Sequence, residues 1–101
     1  MPFTPIERPF DWKHLTATNQ VSAISGVLHT ITINRPDVGA GATITIYDGI
    51  GVTANIIGIV TMDDAFFVIP TTLVYDVGYL TGLYIAFSAG ITTADITVSY
   101  K

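Results

Sequence analysis

Cysteine is absent from this 101-residue chain, which excludes disulfides and thiolate metal sites. Charge is also scarce. Only 12% of residues are charged, against about 25% in a typical soluble domain. The basic residues are Arg8, Lys13, Arg35 and Lys101, scattered in a chain of net charge −4. Nucleic-acid binding needs clustered positive charge to displace counterions, so none is expected. Long apolar runs are missing too. The longest, Ala54 to Val60 and Ala65 to Pro70, are strand length, well short of the ~20 residues that span a bilayer, so no membrane partner is expected. The N-terminus lacks a basic region followed by an apolar run, and no secretory signal is expected.

Groups for chemistry are as sparse. The two histidines are His14, beside Lys13, and His29, which strict alternation puts on the apolar face of its strand. A metal needs several converging ligands. Glu7, Asp11 and His14 are the nearest approach to a cluster, and they read as ordinary surface beside an arm. His29 reads as a core-edge histidine with a hydrogen-bonded ring nitrogen. Asp63 and Asp64 are adjacent, so in a strand they point to opposite faces and chelate poorly. They read as a solvated turn that guards an apolar strand. Ser25-Gly26 and Ser88-Ala89-Gly90 match no nucleophile elbow, and Gly39-Ala40-Gly41 has no helix after it to hold a phosphate. The expectation is no enzyme, no cofactor and no metal.

Apolar residues make up half the chain, with Thr and Ser filling much of the space that charge leaves. A domain this size buries roughly two thirds of its unfolded surface, which gives one modest core. Low charge with high apolar content points to a surface partly covered by a partner.

The first eleven residues hold Pro2, Pro5 and Pro9. Proline removes a backbone donor, so this segment cannot join a central sheet. It also holds Phe3, Ile6 and Phe10, with Trp12 just beyond. The reading is an extended arm over 1–11 that lies in a groove of its own domain or of a neighbour, followed by one β domain over 12–101.

Beyond Trp12 the apolar pattern has period two, the signature of half-buried strands. Val27, His29, Ile31 and Ile33 fall on one face; Leu28, Thr30, Thr32 and Asn34 fall on the other. Ile44 and Ile46 read as inward from a strand over Ala42 to Asp48, with Tyr47 outward. Ala54 to Thr61 is apolar on both faces and reads as covered on both sides. Phe66 to Ile69, Leu73 to Val77, Gly82 to Ser88 and Asp95 to Tyr100 follow as strands, with weaker ones near Trp12 to Ala17 and Gln20 to Ile24. No stretch shows helical periodicity over three turns. The expected fold is all-β: an antiparallel β-sandwich or jelly roll of about eight strands with a proline-rich N-terminal arm.

The candidate partner-interface residues are Phe3, Ile6, Phe10 and Trp12 on and beside the arm, Ile57 and Ile59 in the doubly apolar strand, and Tyr47 and Tyr84 on the less apolar faces of theirs. Tyr75, Tyr79 and Tyr100 read as structural, closing strand edges and sheet ends.

Several runs resemble a group of short phage virion proteins. They are Gly26-Val-Leu-His-Thr-Ile-Thr-Ile-Asn34, Ala42-Thr-Ile-Thr-Ile-Tyr-Asp-Gly49, Leu73-Val-Tyr-Asp-Val77, Thr81-Gly-Leu83 and Ala94-Asp-Ile-Thr-Val-Ser-Tyr-Lys101. The resemblance spans roughly residues 20 to 101, and the arm departs from it. It implies a sandwich or jelly roll that decorates and cements a tailed-phage head from the capsid exterior. It also implies self-association, as a homotrimer between capsomers, with the major capsid protein as partner. It supplies no catalytic residues. A neck, tail or fibre-associated virion protein is the alternative, and a carbohydrate-binding sandwich with exposed Tyr or Trp is a third reading.

Overall fold

The computed structural model describes residues 10–36, 41–51, 55–62, 70–89, 91 and 93–101. They form eight strands and no α-helix: β1 (Asp11–Leu15), β2 (Asn19–Ser22), β3 (Gly26–Arg35), β4 (Thr43–Asp48), β5 (Asn55–Thr61), β6 (Thr71–Tyr79), β7 (Leu83–Phe87) and β8 (Asp95–Tyr100). Two four-stranded antiparallel sheets result. The first has the order β1-β8-β3-β6 and the second β2-β7-β4-β5. The pairing is nested: β1 with β8, β2 with β7, β3 with β6 and β4 with β5. Two further pairs, β3 with β8 and β4 with β7, join these into sheets.

Alternation in the sequence supplies the core. Leu28, Ile31, Ile33, Ile96 and Val98 of the first sheet share one buried cluster with Ile44, Ile46, Leu83 and Ile85 of the second. Leu15, Val21, Val60 and Met62 extend it. Tyr79 is fully buried, and Tyr75 and Tyr100 pack on the cluster, as their structural reading expects. Burial disfavours the phenolate, so the Tyr75 and Tyr79 hydroxyls titrate above their ordinary range.

Two expectations are corrected. The first concerns β3. Leu28 is fully buried and Val27 is exposed, opposite to the expected faces. The cause is a bulge. Leu28 pairs with Tyr100 and Thr30 with Ser99, so His29 is an extra residue against β8. An extra residue swaps the faces on either side of it. His29 therefore leaves the core face, and its Nδ1 bonds Asp76 Oδ1 of β6. Asp76 lies at a second bulge, against β3, with φ of 49°.

The second correction concerns β5, which is an edge strand of its sheet. Among the described residues it is covered on one side only, with Val60 buried and Ile56 and Ile59 exposed. Apolar residues on both faces state how much burial a strand can use, without saying whether its own chain supplies it.

The strand begins one residue inside the expected arm, at Asp11. The strand expected at Phe66 to Ile69, the Asp63-Asp64 turn and most of the Gly39-Ala40-Gly41 loop lie outside the described residues.

Candidate interaction surface

Three turns are tied together at one end of the molecule. Gln20, in β2, is the centre of the knot. Its Nε2 donates to the carbonyls of Ser22 (2.9 Å), Gly49 (2.9 Å) and Leu83 (3.2 Å). Its Oε1 accepts from the Gly51 N–H at 3.0 Å. Asp48, at the end of β4, holds the turn between β6 and β7. Its two carboxylate oxygens each accept from the Leu80 N–H at 3.0 Å, and one accepts from Thr81 N–H at 2.9 Å. These bonds favour the charged form, so the Asp48 pKa lies below its ordinary value. Gly49 N–H donates to the Gly82 carbonyl at 2.9 Å. A Cβ at Gly82 would lie 2.7 Å from the Ser22 carbonyl oxygen, so this approach requires glycine.

The knotted turns carry exposed apolar side chains. Ile24 is 74% exposed, Ile50 53% and Leu80 85%. Each sits within two residues of a backbone group held by these bonds. Nothing in their local sequence announces them. They are isolated residues in separate turns, and only the long-range pairing of β2 with β7 and β4 with β7 gathers those turns.

The outer face of the second sheet is a further apolar area. Gln20, Tyr84, Tyr47 and Ile56 lie opposite one another across all four strands. The rings of Tyr47 and Tyr84 meet at 6.1 Å, tilted by 52°. Such a tilted pair keeps both rings half-buried on an open face. In the neighbouring row Ile59 lies opposite Thr45. Ile57 behaves differently. It is the extra residue of a bulge, since Ile46 pairs with Gly58 and Tyr47 with Ile56. The bulge turns Ile57 inward, where it packs on the core. Tyr47, Tyr84 and Ile59 therefore share an outer face, Ile56 joins them unforeseen, and Ile57 leaves the group. β5 carries no charged residue and no proline, two of the means by which an edge strand is blunted; its bulge at Ile57 is the one such device it has among the described residues.

The arm candidates divide. Phe3 and Ile6 lie outside the described residues. Phe10 stacks on the His29 ring of its own domain, with centroids 4.2 Å apart and planes 6° from parallel. Lys101 Nζ stands 6.0 Å above the Phe10 ring. Trp12, on the edge strand β1, is 64% exposed.

His14 is drawn away from Asp11, its expected neighbour. The two stand three apart in β1 and so face opposite ways. His14 Nε2 meets Asp95 Oδ1 at 2.8 Å. Partial burial pushes the Asp95 carboxyl up, but hydrogen bonds from His14 and Asn34 and the charges of His14 and Arg35 outweigh it, leaving the pKa below its ordinary value. Among the described residues no group of three or more His, Cys, Asp or Glu stands close enough to hold a metal, and no helix is long and apolar enough to cross a membrane.

Comparison with protein-family models, with curated proteins and with solved structures finds no match to this chain.

Proposed function

We propose that this protein is a viral structural module that decorates and cements a phage capsid by bridging capsomers. The observation that carries the reading is where the exposed apolar residues stand. Ile24, Ile50 and Leu80 sit on turns fixed by Gln20 and Asp48, and Ile56 and Ile59 sit on an edge strand without charge or proline. Turns whose backbone is already held lose less freedom on contact than free loops, which favours binding through small areas.

The strand order supports the same reading. Nested antiparallel pairing, first strand with eighth inward to fourth with fifth, is what a long hairpin gives when it rolls into two facing sheets. We read this order as a jelly-roll β-sandwich, an architecture used by viral capsid and lectin domains. Architecture alone does not assign a role; the resemblance to short virion proteins narrows it.

In this reading β5 and the outer face of its sheet meet further copies of the chain, as a homotrimer on the capsid exterior. The knotted turns meet the major capsid protein. Several modest contacts per trimer then add up, because each contact after the first is intramolecular.

The test is the copy number of this protein in purified virions, measured against the major capsid protein. A number comparable with that of the capsid protein supports cementing of the shell. A few copies per particle would move the protein to the neck, tail or fibre. Absence from the particle would sink the structural reading.

A further inference from the structure

The outer face of the first sheet differs in chemistry from the rest of the surface. Trp12 of β1 lies opposite Ser99 of β8, which lies opposite Thr30 of β3. In the next row His14 lies opposite Thr97, which lies opposite Thr32. Their chain neighbours Ile31, Ile33, Ile96 and Val98 are all buried, so these six residues project to the other side, away from the core. Strand spacing puts rows about 7 Å apart and columns about 5 Å apart. The chain's one tryptophan therefore stands at the border of a plane of hydroxyl groups.

The polar groups beside it are ordered. Asn34 Nδ2 donates to Asp95 Oδ1 at 2.9 Å and to Thr97 Oγ1 at 3.0 Å, and the same Asp95 oxygen meets His14. Thr32 and Thr72 hydroxyls share a hydrogen bond at 3.0 Å. Beyond Trp12 the stacked rings of Phe10 and His29, with Asp76 bonded to His29, stand beyond the hydroxyl rows.

We propose that this face binds a neutral polysaccharide chain, with Trp12 as its stacking platform. A pyranose ring has an apolar C–H face, which suits the flat face of an indole, and a rim of hydroxyls that both donate and accept. Ser, Thr, Asn and Asp side chains offer the matching donors and acceptors. Protein partners call for the opposite mixture, since the centre of a protein interface is apolar and aromatic. That mixture dominates the second sheet, whereas on the first sheet Val74 of β6, opposite Thr30 and 67% exposed, closes the far end of the Trp12 row. Asp76 and Asp95 are each paired with a histidine of this face, so among the described residues the face offers no cluster of free cations to an acidic sugar and suits an uncharged one. A sheet face is open along its length, so it accommodates an extended chain. The proposal is independent of the capsid reading, because it uses the other sheet.

The test is native gel electrophoresis through gels that contain soluble neutral glucan, mannan, galactan or xylan, with tryptophan emission recorded in solution. Because Trp12 is the only tryptophan, its emission reports on the site alone. At least one polysaccharide should retard the protein and shift its emission to the blue. Trp12→Ala should weaken retardation by about tenfold or more, and Trp12→Phe should retain part of it. Far-ultraviolet circular dichroism checks that each variant is folded. No retardation in any of the four gels, or equal retardation of folded Trp12→Ala, would overturn the proposal.

Discussion

The ring of Phe10 lies flat on the imidazole of His29, with centroids 4.2 Å apart. This contact fastens the chain just before β1 to a bulge in β3. It predicts two outcomes for truncation. Removal of residues 1–9 keeps the stack and leaves the urea midpoint nearly unchanged, while assembly weakens. Removal of 1–11 also takes the stack and the first residue of β1, and lowers the midpoint. Phe10→Ala alone should cost about 1 kcal/mol. Equal midpoints for the two truncations would show that the stack contributes nothing to folding.

Gly26 should tolerate no side chain. A Cβ there would lie 2.1 Å from the Lys101 carbonyl oxygen and 2.6 Å from the Tyr79 hydroxyl. The first is a backbone atom, held because Val27 and Lys101 exchange N–H···O bonds of 3.0 and 2.9 Å. Gly26→Ala must push the last residue out of the ladder or displace Tyr79, which is buried. The expected loss is about 1–3 kcal/mol, read as a lower urea midpoint at constant slope. An unchanged midpoint would mean that the C-terminal residue does not close this ladder.

Acid should loosen both ends of the fold. Asp48 and Asp95 each have a folded pKa below the unfolded value of about 3.9. A depressed folded pKa means that the charged form is favoured by folding. Its contribution is complete above the unfolded value and is lost as pH falls through the folded one. Stability should be flat from neutral pH down to about 5 on account of these two groups, and decline below about 4. Asp48→Asn keeps one acceptor for the Leu80 and Thr81 N–H groups but cannot titrate. Its thermal midpoint should fall less between pH 5 and pH 2.5 than that of the wild type, and an equal fall would assign the acid sensitivity elsewhere.

Much of this arrangement was legible in the sequence, and the failures have physical causes. Alternation, turn signals and one doubly apolar run located all eight described strands, and alternation placed Ile44 and Ile46 inward, with Tyr47 and Tyr84 outward. It failed at Val27 and Leu28, because alternation assumes an unbroken ladder and His29 interrupts it. Ile57 was grouped with Ile59 as an interface candidate, and the bulge in β5 separates them by turning Ile57 toward the core. The edge position of β5 follows from which strands pair, a long-range property that no local pattern carries. The cluster of turns bearing Ile24, Ile50 and Leu80 was invisible for that reason too. Trp12 was legible as a candidate, but the hydroxyl plane beside it exists only once β1, β8 and β3 are side by side.

The two protein-facing surfaces can be separated by charge. Ile59 is 59% exposed on β5, and Leu80 is 85% exposed in the turn after β6. A lysine at either place reaches water, so folding stability should change by no more than about 0.5 kcal/mol. A charge introduced into an apolar contact without a partner is costly. Ile59→Lys should therefore lower the mass measured by sedimentation, if β5 joins copies of the chain. Leu80→Lys should leave that mass intact and reduce occupancy on virions stripped of the protein and then reloaded. Ile57→Lys is the control for burial. Its side chain is partly buried against the core, so this substitution should lower stability by more than either surface change. If Ile59→Lys and Leu80→Lys both assemble and load like the wild type, neither surface is the one that meets protein, and the exposed apolar residues lose their explanation.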